Sequence, residues 1–242
     1  MTESIRIQTL MAQSGVGSRR ACDRLVTEGR VTINGKVAQI GQVASWHDDI
    51  RVDGKSIGRG ATETRLLLLN KPSGYVCSTV GEDGLKSVYQ LLPKLKSGRW
   101  CLVGRLDATT TGLLLVTNSG SLAQTLTHPK HKLLRTYRVR VFGIPPRDLI
   151  KQLKDGVMVD GERVMCHDAR WLEKRSSGHN QWLMVQLWVG KQHIVKKLCE
   201  SFDLTVTRLI RTGFGRLQMP KALHVGSWVE LDVPNFIQAN KL

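Results

Sequence analysis

No run of about 18 apolar residues occurs in this 242-residue chain, so no segment reads as a bilayer-spanning helix. The opening residues, MTESIRIQTLMAQSG, lack the apolar stretch of a secretory signal, and the chain is expected to act in the cytoplasm. Cysteine is sparse. The five cysteines, at 22, 77, 101, 166 and 199, include no Cys-x-x-Cys pair. That pattern indicates neither a zinc site nor a disulfide framework and is read as reduced thiols. Acid is scarce as well: 20 Asp and Glu face 36 Lys and Arg, a formal charge of +16. Such an excess points to a polyanionic partner, nucleic acid first and an anionic membrane surface second. The membrane reading is the weaker, because no helix pattern combines a strong amphipathic face with flanking basic residues. A P-loop is missing too. The glycines at 104 and 112 are not followed by Lys-Ser or Lys-Thr, so nucleotide hydrolysis has no support.

What is present is enough for a packed core: 41% of the residues are hydrophobic. The length fits one large domain, or an ordinary domain with a small one. Residues 1–60 read as a separate module. Ile5, Leu10 and Met11 suggest a short helix ending at Gly15 or Gly17. Ser18 is placed to cap a second helix with Ala21, Cys22, Leu25 and Val26 on its apolar side and Gly29 as its stop. RVTINGKVA reads as a hairpin around Asn34-Gly35, and IRVDGKSI as a further strand and turn. The stretch SIGRGATET, residues 56–64, has the composition of a linker to a second domain, 61–242.

In that second part RLLLLN, WCLVGRL and GLLLVT are short apolar runs expected as buried strands. SGSLAQTLTH, PPRDLIKQLKDG and KQHIVKKLCESF read as helices. TYRVRVFG, QWLMVQLWVG and VTRLIRTGF read as strands, the second with Leu183, Val185 and Leu187 on one face. The fold class expected is α+β, a small N-terminal module plus a larger domain with a mixed, mostly antiparallel sheet flanked by helices.

Chemistry concentrates at VGRLDATTTGLLLVT, residues 103–117. Asp107 follows an apolar strand and precedes a threonine-rich turn closed by Gly112. Beside Arg105 it can stay ionised though partly buried, which suits a nucleophile or a base. An ordinary structural ion pair is the plainer alternative. The run HPKHKLLRTYRVR, residues 128–140, holds Lys130, Lys132, Arg135, Arg138 and Arg140 with no acid, and is a candidate RNA track. His128 and His131 have no carboxylate or cysteine partner close in sequence, so phosphate contact or plain surface fits them better than a metal site.

Residues 5–57, and above all SGVGSRRACDRLVTEGRVTINGKVA, resemble the S4 RNA-binding domain. The resemblance implies phosphate contacts for Arg19, Arg20, Arg24 and Lys36, and arginine forks at a helix start suit phosphate oxygens. GRLDATTTGLLLVTNSG resembles the catalytic motif of RNA pseudouridine synthases, in the branch with an N-terminal S4 domain. NKPSGYVCS, LLRTYRVRV, GKQHIVKKL and VTRLIRTGFGRLQMP resemble further pieces of that family in the same order. The resemblance covers nearly the whole chain and is greatest to members acting on large-subunit ribosomal RNA.

It implies that Asp107 is the essential aspartate, attacking C1′ of a uridine or assisting glycal formation. Arg105 would hold RNA and fill the space left by the flipped base. Tyr137 would stack on the extruded uracil and help remove the C5 proton. Lys196 would pair with Asp107, Leu209 would pack on the base, and Arg211 would sit on the RNA side. No cofactor and no metal are expected, since isomerisation exchanges no electrons or groups. The partner implied is ribosomal RNA, as a hairpin or single-stranded loop or within an assembling subunit, with no membrane and the protein a monomer. Two positions depart from the family pattern. Lys196 stands where arginine is usual, keeping the charge without the planar fork, and Ile194 replaces Gln or Glu two residues earlier. Those departures motivate the alternative, a non-catalytic RNA-binding or ribosome-assembly factor on the same scaffold. Residues 1–60 hold 9 basic and 6 acidic residues against 27 and 14 in the remainder, so the larger part is expected to present most of the phosphate-binding surface.

Overall fold

The computed structural model describes residues 4–58, 63–172, 180–188 and 190–242. The expected linker falls partly on 59–62, outside the described residues. The chain divides into two compact units. One comprises Met1–Arg65 with Pro93–Cys101 and Thr117–Gly120, and the other the remaining segments.

The first unit contains α1 (Ile7–Gln13), α2 (Arg19–Thr27) and the short strands β1 (Val31–Ile33), β2 (Lys36–Val37), β3 (Ile50–Val52) and β4 (Lys55–Ser56). Ser18 caps α2 by accepting the Ala21 N–H at 3.1 Å. Asn34 and Gly35 both take positive φ in the β1–β2 turn, as an Asn-Gly hairpin requires. Helical spacing in α1 and α2 and alternation in β1 bring Ile7, Leu10, Met11, Cys22, Val26, Val31 and Ile33 into one core. Ile5 departs from the helix expected of it. It pairs in extended form with Ala44, and the Ile7 N–H donates to the Gln42 carbonyl, so helix geometry begins only at Ile7.

The principal elements of the larger part are β5 (Leu66–Lys71), β6 (Thr111–Thr117), α3 (Gly120–Thr127), β7 (Arg135–Phe142), α4 (Leu149–Asp155), β8 (Asp168–Trp171), β9 (Asn180–Leu187), α5 (Ile194–Glu200), β10 (Thr205–Phe214), β11 (Trp228–Leu231) and α6 (Val233–Asn240). The strands form one sheet in the order β8-β9-β7-β10-β6-β5-β11. β6 and β10 are parallel, while β7 runs antiparallel to β9 and β10, β8 to β9 and β11 to β5. The sheet is therefore mixed and mostly antiparallel. Leu66 to Leu69 and Leu113 to Val116 are fully buried, because central strands covered on both faces need no alternation. β7 alternates instead, with Arg138 and Arg140 exposed between buried Tyr137, Val139 and Val141. Helix α4 packs on β8 and α5 on β10.

WCLVGRL is only partly a strand. Cys101–Leu102 is extended and the Val103 N–H still reaches the Leu115 carbonyl, but Gly104 then takes φ +75° and Arg105 to Asp107 form a loop. Among the described residues, no helix is long and apolar enough to cross a membrane.

Candidate active site

The loop that follows Gly104 presents Asp107 to a cavity of about 760 Å³, whose lining residues all belong to the second unit. Two features shape it locally. The Thr110 N–H closes a turn on the Asp107 carbonyl at 3.0 Å. Gly112, with φ +100°, lies so close to β10 that a Cβ would stand 2.3 Å from the Arg211 carbonyl oxygen, so a side chain is excluded by both backbone conformation and space.

Below the loop sits Lys71, the last residue of β5, fully buried. Its Nζ donates to the carbonyl oxygens of Pro72, Asp107, Ala108 and Thr110 at 2.9 to 3.3 Å. The Gly74 N–H adds a bond to Ala108, and the Leu106 N–H points at Cys77 Sγ at 3.4 Å. The Lys-Pro-x-Gly segment thus holds the aspartate loop through its backbone. Burial pushes the Lys71 ammonium down to about 8, against the pull of Cys77 and Asp107.

The Asp107 carboxylate is flanked by two nitrogen groups from one segment. His193 Nε2 lies 3.1 Å from Oδ1, and Lys196 Nζ lies 3.3 Å from Oδ2. Thr110 Oγ1 approaches Oδ2 at 3.4 Å, and Lys196 also donates to Thr109 Oγ1 at 3.3 Å. Asp107 and Lys196 side chains are 28% and 27% exposed. At an effective dielectric near 20 their gross attraction is about 5 kcal/mol, offset in part by desolvation. His193 is the residue just before α5 and holds a left-handed backbone, φ +55°. No one-residue cue in the sequence marks it, but its place three residues before Lys196 at a helix start puts both on one side.

Tyr137, on β7, stands directly opposite Arg211 of β10 and Val185 of β9. It is 7% exposed and lines the cavity with Leu209. Arg105 lines the same cavity and is exposed. Arg211 is almost fully buried. Its Nε donates to the Leu113 carbonyl at 2.6 Å, and among the described residues its Nη2 has no hydrogen-bond partner. Arg135 also reaches the cavity, but its Nη1 is held by the carbonyls of Leu133 and Trp188. Burial pushes its guanidinium down from the usual range, with Tyr137 pulling the other way. Ile194 is a buried, apolar part of the wall.

The expected RNA track is divided by the fold. Lys132 lies at the cavity, Lys130 is exposed on a single turn of 3-10 helix, and Arg138 points to the opposite face of the sheet. In the first unit Arg19, Arg20, Arg24 and Lys36 are all exposed. Lys71, Cys77 and His193 are the site residues that sequence reasoning missed. Among the described residues, no group of three or more His, Cys, Asp or Glu side chains is gathered to hold a metal ion.

The arrangement places one carboxylate, contacted by two nitrogen groups, in the same cavity as an aromatic ring, and the cavity is large enough for a nucleoside. Residues 65–201 match the family model described as RNA pseudouridylate synthase, and residues 5–43 match the S4 domain. A Pseudomonas aeruginosa protein named "Ribosomal large subunit pseudouridine synthase B" is 40% identical over 230 residues, which are 94% of this chain and 59% of that protein. A Yersinia pestis protein of the same name is 38% identical, over 94% of this chain and 73% of its own. The chain therefore spans just under three fifths of the first of these curated relatives and just under three quarters of the second. A solved structure described as "Crystal structure of pseudouridylate synthase" superposes with a TM-score of 0.67 at 25% identity, covering 98% of this chain and all of its own.

Proposed function

The chain belongs to the RNA pseudouridylate synthase family, and from that premise we propose that it isomerises a uridine of large-subunit ribosomal RNA to pseudouridine, with Asp107 as the catalytic carboxylate. The observation that carries this reading is the Asp107 carboxylate held between His193 and Lys196 in a cavity that also contains Tyr137.

The reaction breaks N1–C1′, turns the base and makes C5–C1′. N1 gains the proton that C5 gives up, so nothing is exchanged with a second molecule and no cofactor is needed. Asp107 acts at the sugar, either on C1′ itself or on the 2′ proton toward a glycal, and both routes need it ionised. Lys196 and His193 fix the position of its two oxygens. Extruding the uridine costs a few kcal/mol. Stacking on Tyr137 returns roughly 1–3 kcal/mol, and the Tyr137 hydroxyl takes part in removing the C5 proton. Leu209 packs on the base, Arg211 lies beside it on the RNA side, and Arg105 fills the vacated place in the stack. Arg19, Arg20, Arg24 and Lys36, with Lys130, Lys132 and Arg138, contribute phosphate contacts, while Arg135, tied to the Leu133 and Trp188 carbonyls, braces the cavity wall.

In this reading residues 1–60 are the RNA-anchoring module and 61–242 the catalytic domain. The protein works as a cytoplasmic monomer on a hairpin or loop of free or assembling ribosomal RNA. The test is to compare pseudouridine maps of both ribosomal RNAs from cells with and without the protein. One missing modification in the large-subunit RNA supports the proposal. Identical maps would overturn it in favour of a non-catalytic RNA-binding factor.

A further inference from the structure

The strands β8, β9, β7 and β10 contain six arginines and a single acid, Asp168. Register decides where they point. Arg138 stands opposite Met184 and Ile210, Arg140 opposite Trp182 and Arg208, and Arg170 opposite Met184. Partners across a ladder share a face, and alternate residues along a strand do too. Arg138, Arg140, Arg170, Arg208 and Trp182 therefore lie together on the face turned away from Tyr137, Leu209 and Arg211.

All four arginines on that face are exposed. Arg140 and Arg208 form a directly opposed like-charge pair, which by itself destabilises a sheet. Asp168 is engaged by Lys154 at 2.7 Å. The arrangement costs stability in the free protein and is relieved when an anion binds. We propose that this face is a second RNA-binding surface, separate from the catalytic cavity, that grips the phosphate backbone of the substrate RNA outside its target loop.

This inference rests on the reading of the chain as an RNA-directed enzyme. Backbone is favoured over bases because the Arg138 guanidinium lies over the Trp182 ring, 5.1 Å from its centroid, and competes with a base for that position. Guanidinium forks match phosphate oxygens. Phe142, 48% exposed at the end of the row, is too little apolar surface for insertion into a bilayer.

The experiment measures binding of the full chain to a uridine-free RNA stem-loop across a potassium chloride series. Replacing Arg140, Arg170 and Arg208 together by glutamine is expected to weaken binding at least tenfold. It is also expected to flatten the plot of log affinity against log salt by about two to three units, roughly 0.7 to 0.9 per lost phosphate contact. The corresponding triple lysine variant is expected to keep the slope. If the glutamine triple variant does not fold, Arg208→Gln alone serves. It should flatten the slope by about one unit and, by relieving Arg140, leave the melting temperature unchanged or raised. Wild-type slope and affinity in the glutamine variants, or an equal loss in the lysine variant, would overturn the proposal. So would charge-dependent binding to phosphatidylglycerol vesicles with no change toward RNA. Because the probe holds no uridine, the outcome is independent of isomerase activity.

Discussion

Replacing Lys71 by methionine removes the ammonium that the aspartate loop is built around. Four carbonyl oxygens lie within 3.3 Å of Nζ, and an ammonium has three N–H donors for them. Hydrogen bonds to a charged group contribute about 1.5–3 kcal/mol each, so the gross loss is on the order of 5–9 kcal/mol. Burying the ammonium itself costs several kcal/mol, and the variant is spared that cost. The net expectation is a loss of about 3 kcal/mol, which for a unit of this size lowers the melting temperature by roughly 6–12 °C. Since two of the released carbonyls belong to Asp107 and its neighbour Ala108, catalysis should suffer beyond the loss of stability. Calorimetry and single-turnover pseudouridine formation on a ribosomal RNA transcript, below the melting temperature, read the two effects separately. Turnover is expected to fall at least tenfold with RNA affinity nearly unchanged. A variant that melts within about 2 °C of the parent and turns over at the parent rate would refute the reasoning.

Lys71 also sets a pH dependence. With its folded value lowered to about 8 from 10.5, the unfolded chain keeps a proton that the folded chain sheds in this window, so stability relative to Lys71→Met should rise between pH 8 and 10.5. Urea titrations of both proteins at the two ends check it, and a constant or shrinking difference would contradict it. Lys196→Met, which removes one of the two nitrogen groups beside Asp107, should lower turnover on the order of 100-fold, and Lys196→Arg should restore most of it. Equal rates in the methionine variant would exclude a role for that charge. Burial pushes the thiols of Cys166 and Cys199 up to about 12. Brief iodoacetamide treatment at pH 8 should leave both unmodified in the folded protein, with all five cysteines labelled after denaturation, as peptide mass spectrometry would show.

The sheet and its helices were legible because the strongest patterns were those the core enforces. The unbroken leucines of β5 and β6 report burial on both faces, and the alternation in β7 reports one exposed face. Ser18 and Asn34-Gly35 state local backbone geometry directly. The four residues of β11 are all at least partly exposed and carry no such signal. At the site, Asp107, Tyr137 and Lys196 stood out by chemical type and motif. Lys71 did not, because its work is done on backbone carbonyls brought from 36 to 39 residues away, a relation that no local pattern encodes. His193 was obscured by its left-handed backbone at the start of α5. Arg135 and Arg138 looked equivalent in a basic run, yet one is tied to carbonyls at the cavity and the other faces the far side of the sheet.

The most direct test of the central claim is Asp107→Asn, which keeps the size of the side chain and removes only its charge. Purified protein, a large-subunit ribosomal RNA transcript and a readout of pseudouridine by carbodiimide-primer extension are sufficient. The prediction is no detectable pseudouridine, with a dissociation constant for the transcript within a few-fold of the parent. Pseudouridine formed by the asparagine variant at near the parent rate would contradict the assignment of the chemistry to this carboxylate.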